Sequence, residues 1–207
     1  MTFMDKHAPQ SLRDMVFVDA ETRQRVEQYA HRKRSGHIVL KGPKGTAKST
    51  TARIIAEAAA KHDGSDYCAT VFQAADMDET HIEQLEKEWN YGRIYGMNPP
   101  YAIIEEVDQL SPRHQRKLRA TLDSRPFGHV IMTTNNDHLV DGPLLDRCDV
   151  LEMPAANMKQ WMFRAREVIE SEGVDITDAQ LRRLLNTCNG SIRDLMRALE
   201  DYVIARK

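Results

Sequence analysis

GPKGTAKST, residues 42–50, follows the apolar run HIVL (37–40) and precedes the helical run TARIIAEAAA (51–60). A strand, a glycine-bearing loop and a helix in that order make an anion cradle. Backbone N–H groups of the loop and helix start point at phosphates, and the positive end of the helix dipole faces them. Here Gly42, Pro43, Lys44, Gly45, Thr46 and Ala47 form the loop and Thr50 carries it on into the helix. Lys48 brings a positive charge to the β and γ phosphates of a nucleotide, and the Ser49 hydroxyl can ligate Mg²⁺. Ala47 stands where glycine is usual, and because alanine disfavours positive φ, the loop is expected to hold a conformation that alanine tolerates.

Outward from this loop, short β-rich runs alternate with helical patterns: HIVL (37–40), ATVFQ (69–73), YAII (101–104), HVIMTT (129–134) and DVLEM (149–153). Such alternation predicts an α/β architecture, a five-stranded parallel sheet with helices on both faces as a three-layer sandwich. Near Pro154 the pattern changes to three helices, which divides the chain into a nucleotide-binding domain at 1–153 and a helical domain at 154–207. The first helix begins near Asn157, carries Trp161, Met162, Ala165, Val168 and Ile169 on one face and stops at Gly173. Thr177 and Gln180 form a capping-box pair for the second, which ends before Gly190. Ser191, with Asp194 three residues on, starts the third and fixes the backbone around Arg193.

YAIIEEVDQLS (101–111) delivers two carboxylates at the C-terminal end of an apolar strand, the edge at which parallel α/β sheets bind ligands. It looks like a Walker B segment, in which Glu105 helps hold Mg²⁺ and Glu106 polarises the water that attacks the γ-phosphate. Aspartate is usual at the first position, so the longer Glu105 is a departure.

From Lys6 to the C-terminus the chain resembles AAA+ ATPases of the DNA sliding-clamp loader type: the small subunits of replication factor C, the bacterial γ and δ′ subunits and phage clamp loaders. Ala47 before the lysine resembles AAA+ proteins of the MoxR type. The resemblance implies a P-loop AAA+ domain followed by a three-helix lid, with ATP and Mg²⁺ as cofactors. KHAPQSLRDMV (6–16) resembles the family's opening segment and would place Met15 and Val16 near the adenine, although His7-Ala8-Pro9 replaces its usual Tyr-Arg-Pro. IMTTNN (131–136) puts the polar sensor 1 residue at Asn135. DRC (146–148) resembles the Ser-Arg-Cys motif and makes Arg147 the arginine finger that reaches a neighbouring subunit's nucleotide, with Asp146 available to pair with it before assembly. NGSIRDLMRAL (189–199) resembles the sensor 2 segment and assigns that role to Arg193. The helix PRHQRKLRATLDSR (112–125) offers Arg113, Arg116, Lys117, Arg119 and Arg125; similar helices follow DNA phosphates, whereas a charge-rich helix by itself reads equally as a solvated face. HRKR (31–34) reads as solvated.

The family's helical collar domain has no counterpart in these 207 residues: either it has been cut away, or the chain is a minimal relative expected to assemble through the ATPase and lid surfaces alone. The implied partners are copies of itself or homologous AAA+ subunits in a ring, together with primed DNA and a sliding clamp. Two alternatives stay open: a nucleotide-binding scaffold with little hydrolysis, and an AAA+ remodelling ATPase of a phage or plasmid system with another client. The net charge of −2 excludes a globally basic surface, so DNA contact would be a local patch. No run approaches the twenty apolar residues of a membrane span, MTFMDKHAPQ lacks a signal-peptide core, and Cys68, Cys148 and Cys188 show no CxxC spacing, which places the chain in the reduced cytoplasm.

Overall fold

The computed structural model describes residues 1–66, 69–95, 100–124, 128–186, 188 and 191–207, with Arg93 described by its backbone alone. Cys68, Arg125 and Asn189–Gly190, the start of the 189–199 segment, therefore lie outside the described residues. In chain order the elements are α1 (Phe3–Lys6), α2 (Ala20–Ala30), β1 (His37–Lys41), α3 (Lys48–His62), β2 (Ala69–Gln73), α4 (Glu79–Ile94) and β3 (Tyr101–Glu105). There follow α5 (Pro112–Ser124), β4 (His129–Thr134), α6 (Gly142–Leu145), β5 (Cys148–Glu152), α7 (Met158–Ser171), α8 (Asp178–Asn186) and α9 (Ile192–Ile204).

The strands form one parallel sheet in the order β2-β3-β4-β1-β5. Because side chains alternate across a strand, each strand feeds two cores. Val39, Ala102, Ile104, Val130 and Met132 face Ile82, Leu85 and Trp89 of α4 and Leu118 and Leu122 of α5. Ile38, Leu40, Tyr101, Ile103, Ile131 and Leu151 face α2 and α3 through Val26, Tyr29, Ala52, Ile55 and Ala59. The near-continuous apolar runs follow directly, since both faces of every central strand are covered.

The helices after β5 have a separate core of Ala165, Val168, Ile169, Leu181, Leu185, Leu195, Leu199 and Val203, with Trp161 and Met162 packed against it. Their starts are fixed locally. The Asn157 side chain accepts from Lys159 N and Gln160 N while the Gln160 side chain takes Asn157 N. Thr177 and Gln180 make the reciprocal pair before α8, and Ser191 Oγ accepts from Asp194 N before α9. Each such cap contributes about 1 kcal/mol. Phe3 of α1 also packs against this core, and Glu172 at the end of α7 receives Lys6, His7 and Lys207. Those hydrogen bonds, from Lys207 foremost, hold the Glu172 carboxyl down at about 2. The chain's start is thus tied to its end.

The basic run at 31–34 is not simply solvated. Arg32 pairs with Asp63 at 2.8 Å and lies over the Tyr101 ring, and Arg34 pairs with Asp149 at 2.8 Å. Both carboxylates come from distant parts of the chain, which is why the run by itself gave no sign of them.

Candidate nucleotide site

At the C-terminal edge of the sheet, between the sheet and the helices that follow it, lies a cavity of about 500 Å³. Its lining brings together Met15 and Val16, loop residues Lys44 to Thr50, Glu105, Glu106, Asn135 and Arg193. Gly42 and Pro43, also expected at the site, are not in this lining; their carbonyls accept from Lys48 Nζ. Trp161, Val168, Leu195 and Met196 give the cavity apolar surface, and Lys44, Lys48, Arg53, Arg164 and Arg193 give it cationic groups. A lining that joins the two suits a ligand with both a flat, apolar ring and a polyanion.

The loop leaves β1 with Gly42 so close to Met153 that a Cβ there would lie 2.2 Å from the Met153 carbonyl oxygen. Glycine is required by that approach. Lys48 is folded back, its Nζ donating to the carbonyls of Gly42 at 2.8 Å and Pro43 at 2.6 Å. Burial depresses the Lys48 pKa, opposed by the charges of Asp108 and Glu106. Ala47 sits at φ 61°, ψ 24°, the left-handed region. The expectation of an alanine-tolerant conformation is therefore wrong: the loop keeps the glycine geometry that aims its amides, and alanine bears the strain.

The carboxylates of Glu105 and Glu106 are held differently from one another. Glu105 Oε1 accepts from Arg53 Nη2 at 2.9 Å and Oε2 from Gln73 Nε2 at 3.0 Å. Glu106 occupies the left-handed region at φ 56°, its N–H donating to Thr133 Oγ1 at 3.0 Å and its carboxylate accepting from Gln109. Thr134 Oγ1 donates to Asp108 at 2.8 Å. Two threonines at the end of β4 thus pin the turn that follows β3, enough to keep a non-glycine residue where its backbone costs about 1–3 kcal/mol. Arg53 and Thr133 escaped the sequence reading. Arg53 is four residues past Ser49 and so on its helix face, which was a usable signal; Thr133 was passed over within IMTTNN in favour of Asn135.

Arg193 reaches the cavity from the first turn of α9, whose start docks on the loop: Ile192 N donates to Gly45 O at 3.1 Å. Arg147 lies outside the cavity lining, between α6 and β5. Its partner is not Asp146 but Asp123 of α5, reached through Nε at 2.5 Å and Nη2 at 2.9 Å, while Nη1 donates to Pro143 O. Two parallel bonds to one carboxylate outweigh the charge of a sequence neighbour. On α5, Arg113 pairs with Glu79 at 2.7 Å and Arg119 with Asp141 at 2.9 Å, so these two are engaged rather than available. Arg116 is exposed and Lys117 half-buried on the same helix. Gln115, buried beneath them, bonds the backbone of Leu110, Leu139 and Asp141.

Residues 38–154 match the family described as the ATPase family associated with various cellular activities (AAA). The chain belongs to that family. It is 28% identical over 204 residues to the replication factor C small subunit of Archaeoglobus fulgidus, covering 96% of this chain and 62% of that protein. It is 24% identical over 213 residues to replication factor C subunit 3 of Oryza sativa subsp. japonica, covering 99% and 58%. The chain thus spans about three-fifths of the length of these curated relatives. Among solved structures its fold is similar to the Thermotoga maritima RuvB Holliday junction branch migration motor, with TM-score 0.76 and 19% identity over 96% of this chain and 65% of that one. Among the described residues no helix is long and apolar enough to cross a membrane.

Proposed function

We propose, from membership of the AAA family as premise, that this chain binds ATP with Mg²⁺ and hydrolyses it as one subunit of a cytoplasmic ring, doing clamp-loader-like work in DNA replication. The observation that carries this is the convergence on one cavity of the phosphate-binding loop, two strand-end carboxylates and an arginine from the helices after β5. On this reading residues 1–153 form the nucleotide-binding domain and 154–207 its lid. The base lies by Met15 and Val16 and the phosphates along residues 42–50.

Ser49 and Glu105 offer the hard oxygen donors that Mg²⁺ prefers, and the ion leaves room for water and phosphate oxygens beside them. When bound, Mg²⁺ neutralises charge on the β and γ oxygens. Lys48 gives up the Gly42 and Pro43 carbonyls for the phosphates. Glu106 takes the proton of the attacking water, Asn135 orients that water, and Arg193 answers to the γ-phosphate from the lid. Arg147 serves the nucleotide of the adjoining subunit, a role its place outside the cavity supports. Arg116 and Lys117, with Arg113 and Arg119 once their partners exchange, would face DNA phosphates, and the ring would close on primed DNA and a sliding clamp.

The test is steady-state ATPase activity with Mg²⁺ across a protein-concentration series, with and without primer-template DNA. Turnover should rise with concentration and with DNA, and fall by about 10²-fold or more in Glu106→Gln and about 10³-fold or more in Arg147→Ala. Tight ATP binding with no turnover in the wild type would refute hydrolysis and leave a nucleotide-binding scaffold.

A further inference from the structure

Glu105 ends β3 opposite Gln73, with which it is in register on β2. Its side chain is only 12% exposed, and each of its oxygens has a partner: Gln73 on one, Arg53 on the other. The partners are unlike. Gln73 is neutral and comes from the adjoining strand, so it holds the carboxylate without altering its charge. Arg53 is cationic and 54% exposed, on a long side chain projecting from α3, and can leave at little cost. It stands one turn beyond Ser49, so helix geometry puts the hydroxyl and the guanidinium on the same face. Both line the cavity with Glu105. The carboxylate thus shares a cavity lining with a hydroxyl that suits a divalent cation while carrying a monovalent cation already.

We propose that Arg53 is a positioning residue that competes with Mg²⁺ for Glu105, and so sets the Mg²⁺ concentration at which the chain holds nucleotide. This rests on the reading of Glu105 as the metal-side carboxylate. In the free chain Arg53 neutralises Glu105 and keeps it turned toward the α3 face. Metal entry requires the guanidinium to yield, and without it the uncompensated carboxylate takes the divalent cation more readily. The longer Glu105, where aspartate is usual, fits the same account, because the extra methylene lets the carboxylate reach a helix side chain as well as a metal.

The experiment titrates free Mg²⁺ against binding of a fluorescent ATP analogue to the full chain, followed by anisotropy, with circular dichroism to show that each variant is folded. Arg53→Ala should lower the half-saturating Mg²⁺ about threefold to fivefold, the weight of a solvent-exposed ion pair. Arg53→Lys, which keeps the charge, should stay near wild type. Glu105→Gln should raise the Mg²⁺ requirement and abolish the effect of Arg53→Ala in the double variant. An unchanged or higher midpoint in Arg53→Ala, with Glu105→Gln still shifted, overturns the inference alone. No shift in Glu105→Gln overturns the metal-side reading of Glu105 beneath it. If Arg53→Ala instead weakens nucleotide binding in EDTA as much as in Mg²⁺, Arg53 is a phosphate contact and the competition is refuted.

Discussion

Ala47→Gly should stabilise the chain, contrary to the usual effect of glycine inside a helix. Ala47 holds φ 61°, ψ 24° immediately before α3. Against its Cβ, a left-handed backbone costs about 1–2 kcal/mol. Glycine removes that cost but brings back about 0.5–1 kcal/mol of freedom in the unfolded chain. The difference is a net gain of about 0–1.5 kcal/mol, centred near 0.75, which for a domain of this size raises Tm by roughly 2–3 °C at the centre of that range. The assay is scanning calorimetry without nucleotide, with Ala56→Gly as control. Ala56 is 1% exposed in the interior of the same helix, so glycine there loses helix propensity and packing together. That control should be destabilised by about 1 kcal/mol or more. If Ala47→Gly lowers Tm as the control does, alanine bears no strain at 47 and the left-handed assignment fails. The sign of the change is what discriminates, and it does not depend on whether the loop holds a phosphate.

Two further outcomes are expected. Asp123→Ala frees Arg147 from its bidentate partner; because the pair is half-exposed, Tm should move by less than about 1 kcal/mol equivalent, while the protein concentration needed for half-maximal ATPase activity should fall. An unchanged concentration dependence would mean that Asp123 does not restrain Arg147 in the role proposed for it. His37 and His129, at the start of β1 and β4, are both held down to about 4 from 6.5, chiefly by burial, with the His129 charge adding at His37 and the Arg32 charge at His129, and Asp123 opposing at His37. A depressed folded pKa means the unfolded chain binds the protons first, so stability present above pH 6.5 drains away as pH falls toward 4, at most about 3 kcal/mol per histidine. Urea midpoints between pH 7 and 4 should fall in the wild type and flatten in His129→Gln; equal slopes would refute the assignment, and the later loss from Glu172 belongs to a separate window, from pH 4.5 down to about 2.

Much of the fold was legible because its signals are local. Every strand was within a residue or so of its place, since a parallel sheet covered on both faces leaves runs such as HIVL and YAII that no amphipathic helix would show. The helix starts at Asn157, Thr177 and Ser191 were legible for the same reason, each being decided by hydrogen bonds within three residues. The pairings of the site were not. Arg53 meets Glu105 across 52 residues of chain, Arg147 meets Asp123 across 24, and His7 meets Glu172 across 165. Reading Asp146 as the partner of Arg147 weighed closeness in sequence, whereas a bidentate bond is chosen by the direction in which the fork points. The Ala47 backbone failed differently: residue preference argued for relaxing the loop, and the loop's fixed ends prevailed.

These pairings bear on how the cavity would take a nucleotide. Lys48 is satisfied by loop carbonyls, Glu105 by Arg53 and Gln73, and Arg147 by Asp123. A buried or half-buried charge without a partner is costly, so a site meant to meet a polyanion and a cation must store its charges in some internal arrangement until they arrive. On the proposed function, each contact with nucleotide, metal or neighbouring subunit would be an exchange, its contribution the difference between the new partner and the old. Exchange makes each step weaker than a count of contacts suggests. It would also make the steps sensitive to one another, because freeing Glu105 for a metal would release Arg53 into the cavity, and freeing Arg147 would release Asp123 on the helix that carries Arg116 and Lys117.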